Sequence, residues 1–212
     1  MNYRFIKYFL ALTVPFLAYF SFNGTGIITY APMIEAFLVI PLLELFFKPN
    51  SINLNEAEEE MAKEDKSYDI VLYLLVPIIF FLLWEFLLSM RENLSLFDKI
   101  GRILSMGLIC GGFGINVAHE LGHRNNKLEQ FLSKTLLLSS LYMHFFIEHN
   151  RGHHKRVSTM EDPSSARYGE NIFSFWLRSV FSGYVSAWNI EFKRLKRINK
   201  YKFSIQNEML RF

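Results

Sequence analysis

Residues 117–154 read VAHELGHRNNKLEQFLSKTLLLSSLYMHFFIEHNRGHH and contain all six histidines of the 212-residue chain. His119 and His123 are four positions apart, so on a helix they lie on one face, where one metal ion can bridge them. A second group with similar spacing follows, at His149, His153 and His154. Imidazole nitrogen is a ligand that suits iron, copper or zinc. The sequence therefore predicts a metal site, with these five histidines as its candidate ligands.

The composition places that site in a membrane protein. The chain is 51% hydrophobic, contains 22 Phe, and has several apolar runs that approach the length of a membrane-spanning helix. The formal net charge of +3 is modest, so nucleic acid is a poor candidate partner. The single cysteine excludes an intrachain disulfide and an iron–sulfur cluster held by this chain alone. The predicted fold class is an all-α integral membrane protein.

Four apolar segments predict four transmembrane helices, at residues 8–22, 27–47, 68–90 and about 100–117. A charged start followed by an apolar run also occurs in secretory signal peptides. Here a second apolar run begins at once, which favours a retained first span. Gly107 and Gly111 form a G-x-x-x-G step in the fourth span, and this pattern allows another helix backbone to approach closely.

These segments predict a single membrane domain with five successive parts. They are a first helical hairpin (1–47), a polar connector (48–69), a second helical hairpin (70–117), a His-rich metal segment (118–170) and a basic amphipathic cytoplasmic segment (171–212). In the connector, acidic residues are mixed with lysines, which is typical of a solvated loop or a short surface helix. In the last part, aromatic and basic residues mix over 171–198 and predict a helix along the membrane surface.

The distribution of positive charge predicts the orientation in the membrane. Arg4 and Lys7 precede the first span, the first turn is uncharged, and a cluster of cations follows the histidines. By the positive-inside rule both ends are cytoplasmic, and the histidines emerge on the cytoplasmic side. The cations of that cluster are Lys193, Arg194, Lys196, Arg197, Lys200 and Lys202.

Residues 128–147 are long enough to be a fifth span, but the histidines argue against it. One straight helix from His123 to His149 would separate the two histidine groups by about 39 Å. A shared metal site would then be impossible. This segment also carries a polar stripe that the other spans lack. We therefore predict an in-plane or re-entrant helix here.

Local chemistry leaves three interpretations of the histidine segment open. His119 to His123 fit the H-E-x-x-H pattern of zinc peptidases, with Glu120 as general base. A multi-iron site that activates O2 would use more imidazoles than a zinc peptidase needs. In a metal-free interpretation, the histidines are merely polar residues at a membrane interface. The concentration of histidines disfavours this last interpretation.

Three longer stretches then resemble one family. NVAHELGHR (116–124), HFFIEHNRGHH (144–154) and EDPSSARYGE (161–170) look like the first two histidine boxes and the following segment of the bacterial membrane alkane 1-monooxygenases. These alkane omega-hydroxylases are part of the fatty acid desaturase and hydroxylase superfamily. The resemblance implies a non-haem di-iron oxidoreductase of the bacterial inner membrane. It would insert one oxygen atom of O2 into the terminal methyl group of a medium- or long-chain alkane.

The resemblance also implies ligands and partners. The first-box ligands are His119 and His123, the second-box ligands are His149, His153 and His154, and His144 lies outside the box. Electrons would come from rubredoxin and its NADH-dependent reductase at the cytoplasmic face. Family members are about twice as long and carry a third histidine box. The resemblance therefore implies that this chain is an incomplete, inactive fragment. A related xylene monooxygenase or fatty acid desaturase and an intramembrane zinc peptidase remain the alternatives.

Two further sets of charged residues have candidate roles. The basic residues at 193–197 are candidates to dock an acidic electron donor or the anionic headgroups of membrane lipids. Glu120, Glu148 and Asp162 are candidates to orient the imidazoles, because a ligating histidine usually donates its other ring N–H to such a group. The sequence alone does not distinguish among these three carboxylates.

Overall fold

A computed structural model of the chain describes residues 3–47, 55–56, 59–60 and 65–212. Every regular element in these ranges is helical and none is a strand, which confirms the predicted all-α class. Most of the predicted connector, including Lys48, Glu58, Lys63 and Glu64, lies outside the described residues. The chain forms two compact units, Met1–Val117 and Ala118–Phe212.

The first unit contains the apolar helices. A 3₁₀ helix (Tyr3–Leu12) leads into α1, and a second 3₁₀ turn (Gly26–Tyr30) leads into α2. A wide π-helical turn (Glu35–Val39) connects α2 to α3, and another (Ile109–Ile115) follows α5. The α-helices of this unit are α1 (Thr13–Asn23), α2 (Ala31–Ile34), α3 (Ile40–Phe46), α4 (Asp69–Ser89) and α5 (Leu96–Leu108). The next helix, α6 (Asn116–Gly122), begins in this unit and ends in the second one.

Three helical stretches among the described residues are long and apolar enough to cross a membrane: Gly26–Phe46, Asp69–Ser89 and Leu96–Gly122. They correspond to the second, third and fourth predicted spans, and the last extends beyond the predicted 100–117. The predicted first span is present as a shorter apolar helix, Tyr8–Asn23. Large apolar side chains such as Phe37, Phe46 and Trp84 are more than half exposed, as expected of residues that face lipid.

The core of the first unit forms where α1 packs against α4. Ala18 and Ile79 are completely buried, and Phe22 and Leu82 are 1% exposed. Close approach of α5 to the Gly26–Tyr30 turn requires a glycine, because a Cβ at Gly101 would collide with the Thr29 side chain. By contrast, a Cβ at Gly107 or Gly111 would meet no described atom within 4 Å. The close contact predicted for the G-x-x-x-G step therefore occurs earlier in the chain, at Gly101.

A buried arginine that sequence reasoning did not single out connects separate parts of this unit. Arg102 is 1% exposed, and its guanidinium donates to the carbonyl oxygens of Ser89 (2.9 Å) and Gly24 (2.9 Å) and to Glu92 (3.1 Å). Both carbonyls lie at helix ends, where no intrahelical donor is available. Arg102 therefore ties the turn after α1 to the end of α4.

We expect Arg102→Met to destabilise the folded chain strongly. The substitution leaves two carbonyl oxygens without their charged donor, at a cost of about 2–4 kcal/mol in the free energy of unfolding. Thermal unfolding of the purified protein in detergent measures this change. Arg91→Met, at an exposed position between the same two helices, is the matched control and should leave the melting temperature unchanged. Equal effects of the two substitutions would contradict the assigned role.

The second unit is built around a long helix. α7 and α8 pack together, and α8 packs against α10 around a core that includes Leu137, Ile147 and Ala187, all completely buried. The helix predicted over 171–198 is present as α10, and Asn171 caps it by accepting from the Ser174 backbone N–H. The elements are α7 (Lys127–Leu138), α8 (Phe145–Glu148), a π-helical turn (His149–His153), α9 (His154–Arg156), α10 (Ile172–Arg197) and α11 (Glu208–Arg211).

The segment 128–147 differs in form from the predicted single helix. It consists of α7 and α8, separated by a turn at 139–144. The Ser139 and Ser140 hydroxyls donate back to carbonyls of the last turn of α7, and Leu141 adopts a left-handed conformation with φ of 55°. Serine hydroxyls compete with helical hydrogen bonding in this way. The chain therefore reverses, and the two histidine groups are not held at opposite ends of a rod.

Candidate metal centre

The first histidine pair lies at the end of α6. His119 is in the helix and His123 follows its last residue, Gly122. The Nε2 atoms of the two rings are 2.8 Å apart. The predicted i, i+4 spacing thus places both imidazoles on one side of the helix end.

The second group depends on the π-helical turn. In an α-helix, a residue five positions along is rotated by about 140° and faces away. The wider i→i+5 turn at His149–His153 reduces this rotation. The Nε2 atoms of His149 and His154 therefore lie 3.0 Å apart. π-Helical turns are frequent at functional sites.

The two groups meet in the second unit. The Nε2 atoms of His149 and His123 are 3.2 Å apart. Ring nitrogens of four histidines all lie within 4.8 Å of one another, namely those of His119, His123, His149 and His154. His149 is central because it contacts both its own neighbour His154 and the first pair.

These separations fit a metal ion. Imidazole nitrogens bind a transition metal at about 2.1 Å, so adjacent ligands of one ion lie about 3.0–3.4 Å apart. The three short Nε2–Nε2 distances, 2.8, 3.2 and 3.0 Å, are close to that range. Four neutral nitrogen donors suit iron, copper or zinc. The residues therefore fit a metal of this kind.

Protonation of two histidines in the cluster, His123 and His149, is suppressed. Burial, followed by repulsion from the neighbouring imidazoles, lowers the pKa of His149 to about 3. The pKa of His123 is lowered by burial and by His119 and His154. His149 is therefore neutral at pH 7, and its lone pair is available to a metal.

His153 is not part of this four-histidine cluster. Its Nδ1 lies 2.9 Å from Oδ2 of Asp162, which is 2% exposed. Burial raises the pKa of Asp162, but hydrogen bonds from Ser165, from the Ser164 backbone and from His153 outweigh it and lower the pKa. An ionised Asp162 accepts a hydrogen bond from the Nδ1–H group of His153. The lone pair of His153 is then on Nε2, the arrangement usual for a metal-binding histidine.

The other two candidate carboxylates have different partners. Glu120 accepts a hydrogen bond from Arg124 at 3.2 Å. Glu148 is 4% exposed and accepts from Arg156 (2.8 Å) and from the Ser186 hydroxyl (3.1 Å). Of the three carboxylates, Asp162 alone has a hydrogen bond to a histidine ring among the described residues. The structure thus separates candidates that the sequence left equivalent.

The ion pair between the buried Glu148 and the partly exposed Arg156 explains why residue 152, within the second histidine group, is glycine. A Cβ at Gly152 would lie 2.5 Å from Glu148 Oε1, 2.6 Å from Arg156 Nη2 and 2.8 Å from Ile190 Cδ1. Only glycine leaves room for the pair to pass this close to the backbone. The ion pair thereby joins the turn that carries the histidines to α10.

His144 lies outside the four-histidine cluster. Its ring packs edge-on against Tyr142 (4.5 Å between centroids) and Tyr184 (5.2 Å), and burial lowers its pKa. Its Nε2 is buried and has no hydrogen-bond partner among the described residues. This position agrees with its place outside the histidine box.

Arg178 on α10 organises the loop that carries Asp162, a role that the sequence analysis missed. Its guanidinium donates to both carboxylate oxygens of Glu170 (2.6 and 2.7 Å) and to the carbonyl oxygens of Pro163 (3.0 Å) and Ser165 (2.9 Å). The loop motif EDPSSARYGE gives its partners, but the arginine lies eight residues beyond Glu170. No local spacing rule would have paired them.

This pair predicts an acid-sensitive contribution to stability. Hydrogen bonding from Arg178 lowers the pKa of Glu170 from 4.5 to about 2. The folded state thus favours the ionised carboxyl, and the stabilisation is complete above pH 4.5 and is lost as the pH falls towards 2. We expect the difference in melting temperature between the wild type and Arg178→Met to shrink over this range. A difference that is constant with pH would contradict the prediction.

Comparison with known proteins finds similarity to one family of enzymes along most of the chain. The family model for fatty acid desaturases matches residues 100–211. An alkane 1-monooxygenase of Pseudomonas putida is 33% identical over 216 residues, which cover 96% of this chain and 52% of the relative. One of Acinetobacter baylyi is 37% identical over 174 residues, 82% of this chain and 42% of the relative. The chain thus spans about half the length of the curated relatives it matches.

A more distant relative has a different named activity. The hydroxylase component of a Pseudomonas putida xylene/toluene monooxygenase is 26% identical over 112 residues, which cover 53% of this chain and 30% of the relative. Both kinds of relative are monooxygenases by name. The matched segment of the desaturase model includes all six histidines.

Proposed function

We propose a function from the premise that this chain belongs to the fatty acid desaturase family. The chain supplies histidine ligands to a non-haem di-iron centre that hydroxylates the terminal methyl group of medium- or long-chain alkanes with O2. The observation that carries this proposal is the convergence of four imidazole nitrogens within 4.8 Å. Its similarity to alkane 1-monooxygenases along most of the chain supports the choice of reaction.

The proposal gives the histidines separate tasks. His119, His123, His149 and His154 would hold one iron ion, and His153, oriented by Asp162, would contribute to a second. Two iron ions with open positions need more ligands than these five, so the proposal includes a third histidine box outside these 212 residues. The bound iron would supply the activation of O2. Burial within the chain keeps His149 neutral, and Asp162 holds the Nδ1–H form of His153 through a hydrogen bond.

An apolar substrate needs an apolar site, because an alkane offers no charge and no hydrogen-bonding group. A cavity of about 670 Å³ in the first unit is lined mainly by apolar side chains. They include Phe16 and Tyr19 on α1 and Phe81 on α4. Its size and lining suit a hydrocarbon chain, which supports a substrate taken from the membrane.

The membrane arrangement proposed here has four spans, with Tyr8–Asn23 as the first. Both ends and the histidine segment lie on the cytoplasmic side of the bacterial inner membrane. The segment 128–147 lies in or dips into the interface, and α10 lies along the membrane surface. A rubredoxin-type protein would deliver electrons at the cytoplasmic face. The distribution of cations supports this orientation.

A chimeric enzyme tests the proposal. This chain would replace the matching segment of the Pseudomonas putida alkane 1-monooxygenase, and the host would also produce rubredoxin and its reductase. Cells would receive n-alkanes, xylene or fatty acids, and gas chromatography would identify the products. We expect 1-alkanols from the alkanes. The control is the same chimera with His119→Ala and His123→Ala, which should be inserted but inactive.

Three outcomes would overturn the proposal. An inserted, iron-loaded chimera that yields only methylbenzyl alcohol would assign the chain to the xylene monooxygenases. Desaturated fatty acids would assign it to the desaturases. Peptidase activity with zinc but not with iron would favour the H-E-x-x-H interpretation.

A further inference from the structure

A strongly basic cavity lies behind the second histidine group. Its volume is about 540 Å³, and its nine lining residues include no carboxylate. Six of them are cationic, namely Arg151, Lys155, Arg156, Lys193, Arg194 and Arg197. We call this the basic cavity. All of its lining belongs to the second unit.

Three of the six cations are held in place by carboxylates. Arg151 pairs with Glu191 (3.4 Å) and Glu208 (2.7 Å), and Arg194 pairs with the same Glu191. Glu191 is completely buried. Arg156 is fixed by Glu148 in the same way. Each guanidinium has five N–H donors, so these contacts leave donors free while they fix the position of the group.

The other three cations are exposed. Lys155, Lys193 and Arg197 have no ion pair among the residues that the structure describes. Lys193 and Arg197 follow Ile190 along one face of α10, at spacings of three and four residues. Like charges gathered around one concave surface repel one another, and a bound anion would relieve that repulsion.

The shape and composition of the cavity select the kind of anion. Four of the six cations are arginines, whose planar forks match the oxygens of phosphate. The volume is that of a small-molecule site, whereas a protein partner would cover a much larger surface. On the same helix, Phe173, Trp176 and Phe181 are each more than half exposed, as in helices that contact lipid.

We propose that the basic cavity binds a phosphate ester group, supplied by the headgroup of an anionic membrane lipid or by a free phosphate compound. The site is separate from the histidine cluster but shares a segment with it. The residues of this segment that line the cavity are Asn150, Arg151 and Lys155. The first two lie between His149 and His153, and Lys155 directly follows His154. A bound phosphate would hold this segment against α10. The proposal does not depend on the hydroxylase reaction.

Binding measurements on the full 212-residue chain in detergent test the proposal. The probes are short-chain phosphatidylglycerol, short-chain phosphatidylcholine and inorganic phosphate, each titrated at the same ionic strength. The readouts are the melting temperature and the dissociation constant. The test variant is Lys193→Gln with Arg197→Gln. The matched control is Lys196→Gln with Lys200→Gln, which removes two exposed charges that do not line the cavity.

We expect the wild type to bind phosphatidylglycerol in preference to phosphatidylcholine. The test variant should bind about 30-fold more weakly, as expected for the loss of two cationic contacts. The control should change by less than about 3-fold, since neither of its residues lines the cavity and salt screens exposed charges. Tight binding of phosphatidylglycerol alone identifies a lipid as the source. Saturable binding of inorganic phosphate that displaces the lipid identifies a free phosphate.

Other outcomes would overturn the proposal. Equal losses in the test variant and the control would show a general effect of surface charge. No saturable binding of any probe would remove the site. If the test variant keeps its lipid affinity but loses binding to an acidic redox protein, the basic cavity is part of a protein interface instead.

Discussion

His149→Ala is expected to remove metal binding at the four-histidine cluster. His149 Nε2 lies 3.0 Å from His154 Nε2 and 3.2 Å from His123 Nε2, so it joins the two histidine groups. Loss of a residue that only orients a ligand costs about 10–100-fold in metal affinity, and loss of a central ligand should cost more than 100-fold. Iron content after reconstitution with ferrous iron measures the effect, both in the 212-residue chain and in the chimera.

The substitution should also end alkane hydroxylation by the chimera. Its matched control is His144→Ala, which removes a histidine on the neighbouring turn that lies outside the cluster. We expect the control to keep its iron content. Retained iron in His149→Ala, or equal losses in both variants with unchanged folding, would show that the cluster is not the metal site.

The sequence indicated which histidines could form a cluster more clearly than how they are arranged. The i, i+4 spacing of His119 and His123 predicted their joint position correctly, because a regular helix fixes the angle between them. The second group is different, since the π-helical turn at His149–His153 decides which histidine joins the first pair. One extra residue in a helical turn leaves no clear mark in a single sequence.

Contacts made in the folded chain determine which carboxylate reaches a histidine and why Arg102 is buried. Three carboxylates had suitable chemistry, but only the fold shows that Arg124 and Arg156 engage Glu120 and Glu148 while Asp162 reaches His153. Arg102 is another example, because its partners Gly24 and Ser89 are distant in sequence. Charged side chains are rarely buried unless they are paired. Burial became possible because two helix ends supply acceptors.

The break between α7 and α8 could not be predicted from the pattern of polar residues alone. Composition indicated a polar stripe over 128–147, and this stripe includes Ser139 and Ser140. These serines end the helix by donating to carbonyls of their own last turn. The same residues are compatible with an amphipathic helix and with a helix end. The requirement that two histidine groups meet was the stronger argument against one straight rod.

Asp162→Asn should weaken metal binding while leaving the fold intact. Asp162 accepts from His153 Nδ1 at 2.9 Å, and its other contacts come from Ser165 Oγ (2.5 Å) and the Ser164 backbone N–H (3.0 Å). Asparagine keeps the volume and one acceptor oxygen, so the loop can retain its shape. It loses the charge that stabilises the Nδ1–H form of His153. We expect metal affinity to fall by about 10–100-fold.

The melting temperature of the metal-free protein separates this positioning role from a structural one. The melting temperature of Asp162→Asn should stay within about 2 °C of the wild type, because the variant keeps most hydrogen bonds of the loop. Glu161→Gln is the matched control, since it removes one charge at an exposed neighbouring position and should leave metal affinity unchanged. A fall in stability that parallels the fall in affinity would mean that Asp162 only supports the loop. Unchanged affinity in Asp162→Asn would mean that His153 does not bind the metal through the tautomer that Asp162 selects.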